Sequence, residues 1–171
     1  QPLDADALAR CAELGARVEP LTWNDDATGA HLVSPLLRVT FFGRERSIGD
    51  EALGLLVDVV GANLAELVLA RTEVSDAGVA RLAECPRLLH LDLRETAVGD
   101  AGVAALAAPP HLRTLNLFGT DVGDAGCRAL ARCVALREVW LWQTPVGAEA
   151  VVALRAALPS ARVVFAADLP A

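Results

Sequence analysis

The chain of 171 residues contains four cysteines, three histidines and 22 acidic side chains, the raw material of metal sites, disulfides and acid–base catalysis. None stands at a spacing that such chemistry needs. Cys11, Cys85, Cys127 and Cys133 form no CxxC or CxxCH pair, the patterns used by zinc, redox and haem-attachment sites. His31, His90 and His111 lack ligand spacing to one another or to a carboxylate cluster. Ser34, Ser47, Ser75 and Ser160 sit in turn-like contexts, with no GxSxG elbow and no histidine to activate them. No phosphate loop or dinucleotide glycine fingerprint occurs. A catalytic site would have to be assembled on one strand face, where His90 and Asp92 are the nearest candidates. The reading is a non-enzyme with no metal and no cofactor.

The other conspicuous chemistry is aromatic. Residues 139–144 read "VWLWQT", and in a strand successive side chains alternate between faces, so Trp140 and Trp142 lie opposite Leu141. Whether the indoles or the leucine face the core depends on the surrounding elements.

At 54% hydrophobic and 22% charged the chain suits one domain with a sizeable core. Its net charge of −7 argues against nucleic acid as a partner, since phosphate contacts need a surplus of cations. The longest apolar runs break well before the roughly 20 residues of a membrane span, and Gln1 does not open a signal peptide.

Self-similarity dominates the remainder. Four segments starting at Leu64, Leu88, Leu112 and Leu136 align as "LAELVLARTEVSDAGVARLAECPR", "LLHLDLRETAVGDAGVAALAAPPH", "LRTLNLFGTDVGDAGCRALARCVA" and "LREVWLWQTPVGAEAVVALRAALPS". The first three hold 24 residues and the last is counted as 25, with a degenerate 28-residue copy from Leu36 before them and a strand-like "ARVVFA" at 161–166 after them. In each copy Leu67/Leu69, Leu91/Leu93, Leu115/Leu117 and Val139/Leu141 alternate with other residues, predicting a short parallel strand with its leucines inward. Thr72, Thr96, Thr120 and Thr144 are placed to satisfy turn backbone groups. Asp76, Asp100 and Asp124 suit N-caps of helices whose Val79/Leu82, Val103/Leu106 and Cys127/Leu130 pairs face inward. Gly78, Gly102 and Gly126 cost helix propensity, acceptable where helix and strand backbones approach closely. Residues 4–17 read as an amphipathic cap helix with Leu8, Cys11 and Leu14 on one stripe, and 18–35, with Trp23, as a loop or edge hairpin.

The frame L-x-x-L-x-L-x-x-T-x-V-x-D-A-G-V-x-x-L-A resembles the leucine-rich repeat family over residues 36–166. The resemblance implies an α/β fold, a right-handed solenoid of about five repeats, each with one short parallel strand and one helix. An N-terminal cap occupies 1–35, a final strand ends the solenoid, and a tail spans 167–171. Cys85, Cys127 and Cys133 match places where such repeats hold small buried residues and read as core thiols; Cys85 and Cys133 stand too far apart to bridge. In this family the concave strand face usually binds proteins.

With Leu141 inward, Trp140 and Trp142 point out from that face. Neighbouring strands about 4.8 Å apart put Phe118 beside Trp142 and Phe165 beside Trp140, an exposed aromatic cluster that marks either a contact site or a C-terminal cap. Phe42 shares the face but lies outside the cluster. Polar members of the strip include His90, Asp92, Arg94, Asn116 and Gln143, and opposite charges fall on neighbouring strands, as Glu66 with His90 and Arg71 with Glu95.

The stretches "SIGDEAL", "GANLAELVLARTEVSDAG", "LNLFGTDVGDAG" and "VWLWQTPVGAEAVVALRAALPSARV" further resemble a bacterial, planctomycete-type subclass, the C-terminal repeat module of membrane-anchored proteins that carry a c-type cytochrome domain. There the haem sits on a separate CxxCH segment, which this sequence lacks. The resemblance implies an extracytoplasmic setting in periplasm or at the cell surface, and a c-type haem protein as a possible neighbour. Three functional readings follow: a protein-binding scaffold using the concave face, an accessory part of an extracytoplasmic cytochrome electron-transfer assembly, and an enzyme-inhibitor or substrate-receptor solenoid.

Overall fold

The computed structural model describes residues 5–25, 30–41, 48–107 and 109–165, with side chains at 23–25 and 30–33 excepted. Seven strands form one sheet in chain order, β1 (Ala16–Asp25), β2 (Ala30–Phe41), β3 (Leu64–Val68), β4 (His90–Asp92), β5 (Thr114–Asn116), β6 (Glu138–Trp140) and β7 (Arg162–Val164). β1 and β2 are an antiparallel hairpin, and every later pairing is parallel. The helices are α1 (Ala5–Glu13), α2 (Asp50–Val60), α3 (Asp76–Ala80), α4 (Asp100–Ala105), α5 (Asp124–Leu130) and α6 (Ala148–Ala157).

The alternation resolves as the leucine pattern requires. Leu67, Leu69, Leu91, Leu93, Leu115, Leu117, Val139 and Leu141 are buried and join Val79, Leu82, Val103, Leu106, Cys127 and Leu130 from the helical side in one continuous core. Thr72, Thr96, Thr120 and Thr144 each donate their hydroxyl to the carbonyl of the leucine three residues earlier, at 2.7, 2.6, 2.7 and 2.7 Å. That bond closes the turn leaving each strand, and at Leu69 and Leu117 it adds to a backbone bond from the threonine's own amide, at 3.3 and 3.2 Å.

The repeat aspartates work differently from the expected N-caps. The cap positions belong to Ser75, Gly99 and Gly123, and Asp76, Asp100 and Asp124 are the first residues of their helices. Their carboxylates reach forward to the next repeat. Asp76 accepts from the Gly99 amide at 2.6 Å, Asp100 from the Gly123 and Gly126 amides at 2.7 and 2.8 Å, and Asp124 from the Gly147 amide at 2.7 Å. Asp50 starts the ladder, taking the Ser75 amide at 2.8 Å and its hydroxyl at 2.6 Å. Each carboxylate thus satisfies an orphan amide at the start of the following helix, a charge-assisted bond that helix polarity favours.

The same ladder explains the glycines. A Cβ on Gly78, Gly102 or Gly126 would fall 2.3, 2.6 or 2.6 Å from the Oδ1 of Asp50, Asp76 or Asp100. The close approach is to the preceding repeat's aspartate, not to the strand backbone as the sequence reading expected. α6 ends the ladder: Ala148 and Ala150 stand where Asp and Gly stood before.

At the N-terminus α1 is shorter than 4–17. It buries Cys11 and leaves Leu8 exposed, and Leu14, just past its end, packs against the core. The segment after it is the hairpin rather than a loop, and β2 runs through position 36 without a break. The side chain of Trp23, all of Phe42 and the tail from 166 lie outside the described residues.

Candidate functional site

Parallel pairing turns the outward positions into lateral rows across the sheet. One row runs Arg38, Glu66, His90, Thr114, Glu138, Arg162, and the next runs Thr40, Val68, Asp92, Asn116, Trp140, Val164. The ladder continues beyond the strands, with the amides of Leu69, Leu93, Leu117 and Leu141 donating to the carbonyls of Asp92, Asn116, Trp140 and Val164. These bonds align Phe118 with Trp142, whose ring centroids are 5.0 Å apart at 49°. Trp142 is 39% exposed and Trp140 half-buried, both on the side away from the leucines.

Phe165 does not join them. The residue beside Trp140 is Val164, and Phe165 falls in the place of Leu141, packing against the end of the core. The spatial repeat from Val139 to Val163 is 24 residues, so the count of 25 shifted the last strand by one position. A one-residue slip exchanges the faces of every side chain.

The aromatic residues line a hollow of about 440 Å³ with Asn116, Val164, Arg71, Arg94, Glu95 and Arg162. A shallower hollow of about 190 Å³ adjoins it along the sheet, sharing Asn116 and Trp140 and adding His90, Asp92, Glu66 and Thr114. Of the expected face residues, Trp140, Trp142, Phe118, Asn116 and Arg94 meet in the larger hollow. His90 and Asp92 stand in the smaller, and Gln143 and Phe165 line neither. Arg71 and Glu95, expected as a pair on neighbouring strands, also line the larger hollow, whereas Arg162 and Val164 were missed; adding 24 to Glu138 and Trp140 would have found them.

The charged side chains and the histidine lining the two hollows are paired. Arg71 makes two hydrogen bonds to Glu95, at 2.9 and 3.0 Å, and these bonds hold Glu95 below the usual carboxylate range while raising Arg71. Arg94 contacts Asp92 at 3.2 Å, and Arg162 contacts Glu138 at 3.0 Å. Glu66 bonds Arg38 rather than the expected His90, and His90 shares a 2.6 Å bond with Thr114 Oγ1. His90 and Asp92 are thus each engaged with another partner, Thr114 and Arg94. On the helical side Cys85, Cys127 and Cys133 are buried free thiols, each pushed up to about 11 by burial.

Residues 84–107 and 108–131 each match the family model described as Leucine Rich repeat. The coil has the fold of a leucine-rich-repeat solenoid. Two solved structures resemble it, the second of them a leucine-rich-repeat ectodomain. Internalin C2 from Listeria monocytogenes is 24% identical with a TM-score of 0.52, over 67% of this chain and 45% of that one. The ectodomain of the receptor kinase SOBIR1 from Arabidopsis thaliana is 16% identical with a TM-score of 0.54, over 96% of this chain and 93% of that one. The chain thus spans less than half of the internalin structure. At these identities the likeness is one of fold. No curated protein matches the chain in sequence. Among the described residues no helix is long and apolar enough to cross a membrane.

Proposed function

We propose that this leucine-rich-repeat chain is a non-catalytic protein-binding module, and that its partner docks on the concave strand face around Phe118, Trp140 and Trp142. The observation that carries the reading is the hollow in which the three rings meet three arginines. Trp and Arg are the residues most enriched among those that dominate protein-interface energetics, and an aromatic patch left partly open on a repeat fold supports a contact surface. The resemblance to cytochrome-carrying bacterial proteins supports an extracytoplasmic setting and a c-type haem protein as the partner.

Capture from an extract of the source cells tests the proposal, with wild type and Trp140→Ala/Trp142→Ala immobilised side by side. The double variant should lose the main captured protein, and haem absorbance should mark that protein in the wild-type fraction. Equal capture by both would place binding elsewhere, and a partner without haem would leave the face but remove the cytochrome link.

A further inference from the structure

We infer that the larger hollow selects an acidic segment of the partner, with a carboxylate held by Arg94 and Arg162 and an adjoining apolar side chain resting on Phe118 and Trp142. The inference rests on the protein-binding reading and adds the chemistry of what is bound.

Height on the face is the first argument. Arg94 is 49% exposed and its partner Asp92 20%; Arg162 is 76% exposed and Glu138 26%. The carboxylates lie low against the sheet while the guanidinium groups stand above them, so an approaching chain meets cations first. Each guanidinium carries five N–H donors. Arg94 directs Nε to Asp92, and Arg162 directs Nη1 to Glu138, which leaves donors on both forks for an incoming carboxylate.

Backbone conformation is the second. Arg71, Glu95 and Gln143 occupy the left-handed region at φ 60°, 54° and 54°, and Gly119 fills the corresponding place in its repeat at φ 65°. Gly119 demonstrates that glycine fits this turn without strain. The chain nevertheless keeps a bulky charged pair at two of the other places, and both members line the hollow. Side chains retained against backbone preference concentrate at binding sites. The pair also matters electrostatically: among the described residues Glu95 is the only carboxylate lining the hollow, and Arg71 neutralises it with two hydrogen bonds.

Charge balance is the third. Among the described residues three arginines and one glutamate line this hollow of a chain of net charge −7, while Asp92 and Glu138, which pair two of those arginines, lie lower on the sheet. Guanidinium groups presented above their paired carboxylates favour an acidic partner at that place over a basic one. Continuity with the second hollow gives room for an extended segment rather than a compact ligand.

Selection of random linear peptides displayed on phage against the full chain, at low ionic strength, tests this. Enriched sequences should place Asp or Glu beside Phe, Leu, Ile or Trp. A synthetic copy of the best sequence should lose tenfold or more in affinity when its acids become amides, on Arg94→Gln/Arg162→Gln, and on Trp142→Ala, and should weaken as salt is added. Enrichment of Lys and Arg, or affinity unchanged in the arginine variant, would overturn the inference. Peptides that need Trp142 but carry no acid would sink the acidic preference while leaving the protein-binding reading intact. Recovery of no Trp142-dependent peptide would contradict both.

Discussion

Single residues in this chain are decided by phase. Thr72, Thr96, Thr120 and Thr144 were readable because their bonds are local, closing onto a carbonyl three residues back. Phe165 was misread because "VVF" offers three apolar residues in succession, so alternation alone cannot say which two face inward. Cys85, Cys127 and Cys133 followed the inward phase, and burial raises each from 9.0 to about 11. The unfolded chain therefore releases these protons first, and binds fewer than the native state once the pH exceeds about 9. Stability contributed by the neutral thiols is full below that pH and is lost as the pH rises through about 11. A urea-midpoint series should fall over that window in wild type and fall less in Cys85→Ala/Cys133→Ala. At neutral pH a thiol-specific disulfide reagent should leave all three untouched until the protein is unfolded. Rapid labelling of the native chain would contradict the burial.

Elements are joined by the aspartate ladder, and this was the part of the fold the sequence hid. D-A-G looks like a local helix start, yet its carboxylate bonds an amide 23 residues onward and its glycine yields space to a carboxylate from the preceding repeat. A pattern read along the chain registers the residues but not the partner across the repeat. The six parallel strands were legible because their leucines recur; the β1 hairpin, outside the repeat, was legible only as one of two options. The ladder predicts coupling. Gly102→Ala places a methyl 2.6 Å from Asp76 Oδ1 and 3.1 Å from its Cα, a clash costing about 1–3 kcal/mol. Asp76→Ala loses the 2.6 Å bond to Gly99 at about 1–2 kcal/mol. The double variant should cost less than the sum by about 1 kcal/mol, because removing the carboxylate frees part of the space. Additive losses in chemical denaturation would show that glycine and aspartate act independently.

Across the whole molecule, one buried layer serves every repeat, from Cys11 in the cap helix to Val163 in the last strand, and the opposite strand face is left to carry rows of paired charges ending in rings. Exposed ion pairs contribute little to stability, so the face has latitude to serve recognition instead. That division was legible in the sequence as a two-residue alternation; the partner was not, since recognition depends on lateral neighbours drawn from several repeats. The melting temperature of Trp140→Ala/Trp142→Ala tests the division most directly. Rings presented on the strand face should leave it within about 5 °C of wild type, at about 2–4 °C per kcal/mol for a chain of this length. A fall of about 10 °C or more, the scale of deleting buried aromatic side chains, would place the indoles in the core and contradict the account.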